Sequence, residues 1–128
     1  SGTVTPTAEL ITLRDTTHLD ELLADSGRVP VLVFKHSTSC GTSFQARDEL
    51  LAHVSRASDG VRYLEVTVQD DRPLSKAVTE RLGVRHQTPQ AILVRDGEAV
   101  WTASHFHVTA DAVARAVSDL WPKEPARD

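Results

Sequence analysis

The run V-L-V-F at residues 31–34 is the feature that most restricts what this chain can fold into. All four residues are apolar and two are β-branched, which is typical of a strand that other elements cover on both faces. Such strands occur in sheets that carry helices on each side. We therefore expect residues 31–34 to form a central strand of an α/β domain.

Strand patterns and helix patterns alternate along the rest of the chain. An Asp-Gly turn signal joins the last two of four further strands, which are predicted at residues 10–14, 61–68, 90–95 and 98–104. The helices are predicted to begin at Thr16 or Thr17, at Thr42 or Ser43, near Pro73, and at Thr109 or Asp111. The second helix has an apolar face made of Phe44, Leu50, Leu51, Val54 and Ala57.

The order of these elements, β-α-β-α-β-α-β-β-α, decides the fold class. Alternation of strand and helix predicts parallel pairing through right-handed crossovers, and the closing hairpin adds an antiparallel pair. We therefore predict an α/β, three-layer sandwich that has a mixed central sheet and helices on both faces.

Length and charge limit the classes of protein and partner. The 128 residues suit one domain, predicted at residues 10–121 between a flexible leader (1–9) and a polar tail (122–128). A net charge of -4 without a basic stripe argues against nucleic acid and membrane surfaces as partners. No run of about 18 apolar residues and no signal peptide is present, so we expect a cytoplasmic protein.

Cys40 is the only cysteine, so the chain can form neither an internal disulfide nor a C-x-x-C redox pair. It follows the predicted central strand and opens a predicted helix. Reaction sites in α/β sheets cluster beyond the carboxyl ends of strands, and the unpaired N–H groups of a helix N-terminus favour a thiolate. Free cysteines are also often inert and buried, but the position of Cys40 favours a reactive thiol.

The residues around Cys40 suggest how the thiol is used. Gly41 leaves room for a partner to approach the sulfur, and Ser43 is placed to donate its hydroxyl to the thiolate. Lys35, His36 and His86 are candidates to assist the thiolate. The histidines form no known ligand spacing, so we expect no metal site.

The motif C-G-T-S, with Thr88-Pro89 placed just before the hairpin, resembles the redox cysteine and cis-proline of the thioredoxin superfamily. The segments F-K-H-S-T-S-C, G-V-R-H-Q-T-P-Q and A-S-H-F-H-V-T together resemble the YtxJ- or BrxC-type monothiol bacilliredoxins. This resemblance implies a thioredoxin-like fold. It also implies a thiol–disulfide oxidoreductase that works in redox homeostasis.

The resemblance assigns roles to particular residues. Cys40 would be the nucleophile that takes bacillithiol from a mixed disulfide on a client protein, and a second thiol would regenerate it. Thr88 and Pro89 would flank the adduct, together with Gly41 and Ser43. Bacillithiol is then a co-substrate and no cofactor is bound. Gly41 departs from the family pattern, which leaves the redox potential open.

Two other readings remain at this point. The motif differs at one position from the C-G-F-S of monothiol glutaredoxins, which bind iron–sulfur clusters or glutathione, and Lys35 upstream fits that reading. The chain could also be a non-catalytic thioredoxin-like interaction module. A colour after anaerobic purification would indicate the first, and an unactivated thiol would indicate the second.

Overall fold

The computed structural model describes residues 8–121, so most of the predicted leader and the whole predicted tail lie outside the described residues. No helix in the described part is long and apolar enough to cross a membrane. A short 3₁₀ helix, His105–His107, precedes the last helix. The strands and helices are β1 (Leu10–Thr12), α1 (Thr16–Ala24), β2 (Val31–His36), α2 (Gly41–Val54), β3 (Arg62–Thr67), α3 (Arg72–Leu82), β4 (Gln90–Arg95), β5 (Glu98–Ser104) and α4 (Ala110–Ser118).

The five strands form one mixed sheet in the order β1-β3-β2-β4-β5. β2 lies at its centre and all six of its residues are buried, as the apolar run predicted. The strand is two residues longer than predicted, because Lys35 and His36 continue the pairing with β3. The predicted α/β fold with a mixed central sheet is therefore confirmed.

The direction of β4 differs from the prediction of parallel pairing. β4 runs antiparallel to β2, with Gln90 opposite Lys35. The connection 83–89 after α3 is long enough to return the chain to the end where β2 finishes, because each extended residue spans about 3.3 Å. Alternation of elements alone could not indicate this return.

Helices cover both faces of the sheet and separate two hydrophobic clusters. α2 and α4 enclose one cluster around Leu32 and Phe34, while α1 and α3 enclose the other around Val31 and Val33. Consecutive β2 side chains therefore enter different layers, as the period of a strand requires. This alternation also decides where the polar end of β2 places its side chains.

Caps and turns fix where most elements begin and end. The carboxylate of Asp15, and not Thr16 or Thr17, caps α1 by accepting a hydrogen bond from His18 N at 2.8 Å. Asp96 and Gly97 both have positive φ, 54° and 75°, which suits the predicted two-residue hairpin. Thr109 caps α4 as predicted.

Phe44 does not join the buried face of α2. Its side chain is 49% exposed, and its ring lies edge-on against His36 with centroids 4.8 Å apart. His36 is the last residue of β2, so Phe44 has the end of the sheet on one side and solvent on the other. The helical period identified the correct face, but it could not show where the sheet ends.

Candidate active site

Cys40 lies at the N-cap of α2, one short loop after the end of β2. Its backbone is extended, with φ −128° and ψ 119°, and its side chain makes no capping hydrogen bond. The thiol is partly exposed and is not sealed in the core. It therefore lies beyond the carboxyl end of the central strand, within reach of another molecule.

The first turn of α2 lowers the pKa of Cys40 below its ordinary value. The N–H of Ser43 has the largest effect, and the N–H and hydroxyl of Thr42 add to it, while partial loss of hydration opposes them. These donors lie at the N-terminus of α2, where Ser43 N–H also donates to the Cys40 carbonyl at 3.1 Å, and they favour the thiolate because it is a better acceptor than the thiol. A lowered pKa increases the fraction of the sulfur present as thiolate, which is the reactive form of a cysteine.

The Ser43 hydroxyl has a different role from the one predicted. It is fully buried, accepts a hydrogen bond from Ser37 N at 2.9 Å and pairs with His36 Nδ1 at 2.7 Å. The direction of this pair follows the tautomer of His36: an unprotonated Nδ1 accepts the hydroxyl proton, and a protonated Nδ1 donates to the hydroxyl oxygen. It is the backbone N–H of Ser43, and not the hydroxyl, that acts on the sulfur.

His36 joins the end of β2 to the first turn of α2. Its ring is nearly buried, stacks on Phe34 at 6.0 Å and contacts Phe44. Burial lowers the pKa of His36, so the ring is neutral at pH 7, with its proton on Nε2 when Ser43 donates to Nδ1. His36 is not among the groups that shift the pKa of Cys40, and its contacts instead position α2.

Lys35 and His86 lie on the other side of the sheet, with α3. Lys35 is fully buried, and its Nζ donates to Thr79 Oγ1 at 3.0 Å. Burial lowers the pKa of Lys35 to about 8. Loss of hydration, and then the Lys35 cation, lowers the pKa of His86. Neither residue is among the groups that shift the pKa of Cys40.

The Thr88–Pro89 peptide bond is cis, and it directly precedes β4. The carbonyl of Pro89 accepts a hydrogen bond from His105 N at 3.0 Å, and the His105 ring pairs with Gln87 at 2.7 Å. The 3₁₀ helix that contains His105 also packs against α2. The loop before β4 and the helix that begins after Cys40 are therefore held on a common support.

A match to one protein family identifies the family to which this chain belongs. Residues 11–113 match the family described as monothiol bacilliredoxin BrxC. The chain belongs to that family. The matched range contains both Cys40 and the Thr88–Pro89 bond.

Solved structures agree with a thioredoxin fold for this bacilliredoxin. A thioredoxin-fold protein for which oxidoreductase activity has been proposed is 26% identical, with 84% of this chain and 92% of that chain covered and a TM-score of 0.74. A thioredoxin variant from Halobacterium salinarum is 22% identical, with 97% and 100% covered and a TM-score of 0.70. The thioredoxin of Malassezia sympodialis is 14% identical, with 92% and 96% covered and a TM-score of 0.70. Family and fold together support thiol–disulfide redox activity.

Two residues of the bacilliredoxin site were not predicted from the sequence. Thr42 acts on the thiol through its N–H and its hydroxyl, and its position in the first turn of α2 was a signal that could have identified it. Gln69 accepts a hydrogen bond from Thr38 N at 3.1 Å and donates to Ser37 Oγ at 2.8 Å and Ser39 Oγ at 3.2 Å. Nothing local in the sequence indicates that Gln69 holds the loop before Cys40.

Gly41 leaves the space beside the thiol open. It is exposed, and a Cβ built on it would meet no atom within 4 Å apart from its chain neighbours and the backbone of its own helix. The fold itself therefore does not require glycine at this position. The open space is consistent with the predicted approach of a partner beside Cys40.

Replacement of Thr42 by valine is expected to raise the pKa of Cys40. The change removes one hydroxyl donor to the sulfur but keeps the N–H donors of Thr42 and Ser43. Alkylation by iodoacetamide at pH 7 should slow by about threefold, as expected for loss of one hydrogen bond. The control is Thr16→Val at the exposed start of α1, which should leave the pH profile unchanged. An unaltered profile in the Thr42 variant would show that its hydroxyl does not act on the thiol.

Proposed function

We propose that this protein removes bacillithiol from mixed disulfides on client proteins through Cys40. The observation that carries the proposal is a partly exposed thiol whose pKa the first turn of α2 lowers, in a chain that has no other cysteine. The bacilliredoxin family supports the choice of bacillithiol as co-substrate. S-bacillithiolated proteins are the proposed partners, and the cytoplasm is the proposed location.

The proposed exchange begins with the Cys40 thiolate. It attacks the bacillithiol sulfur of the mixed disulfide, and a new bond forms between the two sulfurs. The old S–S bond breaks, and its electron pair leaves with the client sulfur as a thiolate, which takes a proton from solvent. The client is thereby reduced, and bacillithiol is now carried on Cys40. The thiol of lower pKa leaves faster, so clients that have acidic thiols should react best.

Regeneration needs a thiol from another molecule. Ser43 occupies the place of a resolving cysteine, and its hydroxyl is already bonded to His36 and Ser37. The adduct on Cys40 should therefore persist until an external thiolate attacks the bacillithiol sulfur and releases Cys40 as a thiolate. The external thiol and bacillithiol leave joined as a disulfide, which balances the electrons of the cycle.

Intact mass spectrometry tests the proposed function. The reduced protein is incubated separately with bacillithiol disulfide and glutathione disulfide, and the added mass is measured over time. We expect faster adduct formation with bacillithiol, followed by release of bacillithiol from a modified client protein. Faster adduct formation with glutathione, or a visible absorption band after anaerobic purification, would favour the glutaredoxin-like alternative. A thiol that reacts with neither disulfide would indicate a non-catalytic module.

A further inference from the structure

Lys35 is a buried cation without an acidic partner among the described residues. It is 0% exposed, and its Nζ makes one hydrogen bond, to Thr79 Oγ1 at 3.0 Å. Within residues 8–121, no aspartate or glutamate oxygen lies within 4.0 Å of this nitrogen. An ammonium group has three donors, and buried charges are normally paired. The cation can therefore still stabilise an anion.

Thr79 also lines a cavity of about 260 Å³ between α3 and the end of the sheet. Two of the six lining residues are cationic, and none is acidic. Both cations, Arg72 and Lys76, are exposed, and Lys76 Nζ lies 3.9 Å from a carboxylate oxygen of Glu80. The hydroxyls of Ser75 and Thr79 add donors. The lining residues are Val68, Arg72, Ser75, Lys76, Thr79 and His86.

The cavity lies at the same end of the sheet as Cys40. Val68 N donates to the carbonyl of His36 at 2.9 Å, and the next residue, Gln69, holds the loop that leads to Cys40. On its other side, His86 belongs to the connection that leads to Pro89. One border of the cavity thus contacts the loop that leads to Cys40, and the other continues along the chain to Pro89.

We infer that this cavity is an anion subsite, which holds a carboxylate of the small thiol joined to Cys40. The inference rests on the proposed function, because it concerns the group that Cys40 receives. Arg72 and the hydroxyls of Ser75 and Thr79 would donate hydrogen bonds to the carboxylate. Lys35 does not line the cavity, but its positive charge, bonded to Thr79, would attract the carboxylate from within the protein. Hydrogen bonds to ionised groups are about twice as strong as neutral ones, so the subsite should select anionic thiols.

Three small symmetric disulfides of different charge test this subsite: dithiodipropionate (anionic), bis(hydroxyethyl) disulfide (neutral) and cystamine (cationic). In each case the Cys40 thiolate attacks one sulfur, forms a mixed disulfide and releases the other half as a thiolate. Lys35→Met and Arg72→Gln should each slow the reaction with the anionic disulfide by about tenfold. The rate with the neutral disulfide should stay within about twofold of the parent rate.

Arg115→Gln is the matched control, because Arg115 lies on α4 at the opposite face of the sheet and is exposed. It should leave all three rates unchanged. Equal rate losses for all three disulfides in the Arg72 and Lys35 variants would overturn the subsite. Inorganic phosphate that shifts the NMR signals of His86 and Thr79, without any preference for the anionic disulfide, would also overturn the carboxylate assignment.

The test separates this inference from the proposed function. The three disulfides contain neither bacillithiol nor a client protein. A charge preference without release of bacillithiol from clients would support the subsite and contradict the function. Release of bacillithiol without a charge preference would support the function and contradict the subsite.

Discussion

Replacement of Cys40 by serine is expected to reduce the release of bacillithiol from a modified client to the uncatalysed background. A serine hydroxyl is almost entirely protonated at pH 7, so it cannot replace the thiolate as nucleophile. The fold should be retained, because Cys40 makes no capping bond and serine is a favourable N-cap residue. Client release is followed by mass spectrometry, and the melting temperature, which should be equal or higher, by circular dichroism.

Ser118→Ala, at the exposed end of α4, serves as the control for this experiment. It should keep both the parent rate and the parent melting temperature. Release of bacillithiol by the Cys40→Ser protein above background would end the proposed function. Loss of release together with loss of the folded signal would be resolved with Cys40→Ala, which removes the nucleophile without adding a hydroxyl.

Replacement of Lys35 by methionine is expected to stabilise the protein at pH 7 by about 2 kcal/mol. The pKa of Lys35 is about 8 in the fold and 10.5 in an unpaired side chain, so burial of the charged form is unfavourable. Removal of that charge gains about 3 kcal/mol, and loss of the bond to Thr79 costs about 1 kcal/mol. Urea unfolding at pH 7 measures the difference.

The same change should remove a pH dependence of stability. Between pH 8 and 10.5 the unfolded chain keeps a proton on Lys35 that the folded protein has lost. The free energy of unfolding of the parent therefore rises with pH across this window. The difference in stability between the Lys35→Met protein and the parent should therefore fall by about 3 kcal/mol over the same range and reverse, leaving the variant about 1 kcal/mol less stable than the parent. Cys40 and Tyr63 are present in both proteins, so any effect of their ionisation on the free energy of unfolding cancels in the difference.

Lys76→Met provides the matched control, since Lys76 is exposed on α3. Its stability relative to the parent should not change between pH 8 and 10.5. A Lys35→Met protein that is less stable than the parent at pH 7 would contradict the cost assigned to the buried charge. If the cost is confirmed, the chain keeps Lys35 despite a loss of stability, as expected for a residue that has a function.

Local signals in the sequence determined most of the architecture. The run V-L-V-F required cover on both faces, and β2 is accordingly buried throughout. Gly83 ends α3 with a φ of 63°, and the Asp-Gly turn places β4 and β5 at their predicted limits. Each of these signals depends on a residue and its immediate neighbours, so no knowledge of the rest of the fold was needed.

The position of a thiol with a lowered pKa was also contained in the sequence. Cys40 lies between a buried strand and the start of a helix, and these two elements determine its surroundings. The first turn of α2 acts on Cys40 through the N–H groups of Thr42 and Ser43, which any helix beginning there would supply. The residues next to Cys40 in the sequence are therefore sufficient to lower the pKa of its thiol.

The arrangement of the side chains around Cys40 depended on the tertiary structure. Lys35 and His36 were both expected near the thiol, yet they lie on opposite faces of the sheet because β2 extends through both residues. Whether a strand ends at residue 34 or continues to 36 depends on the partners that its backbone finds in β3 and β4. Those partners are distant in sequence.

The sequence by itself thus determined the fold class, the strand–helix order and the activated cysteine. The tertiary structure decided the antiparallel direction of β4, the role of the Ser43 hydroxyl and the contact of Gln69 with the loop before Cys40. The physical reason is the distance along the chain over which each effect acts. Periodicity, capping and helix-end N–H groups act within a few residues, whereas the partner of a side chain is set by which distant element packs against it.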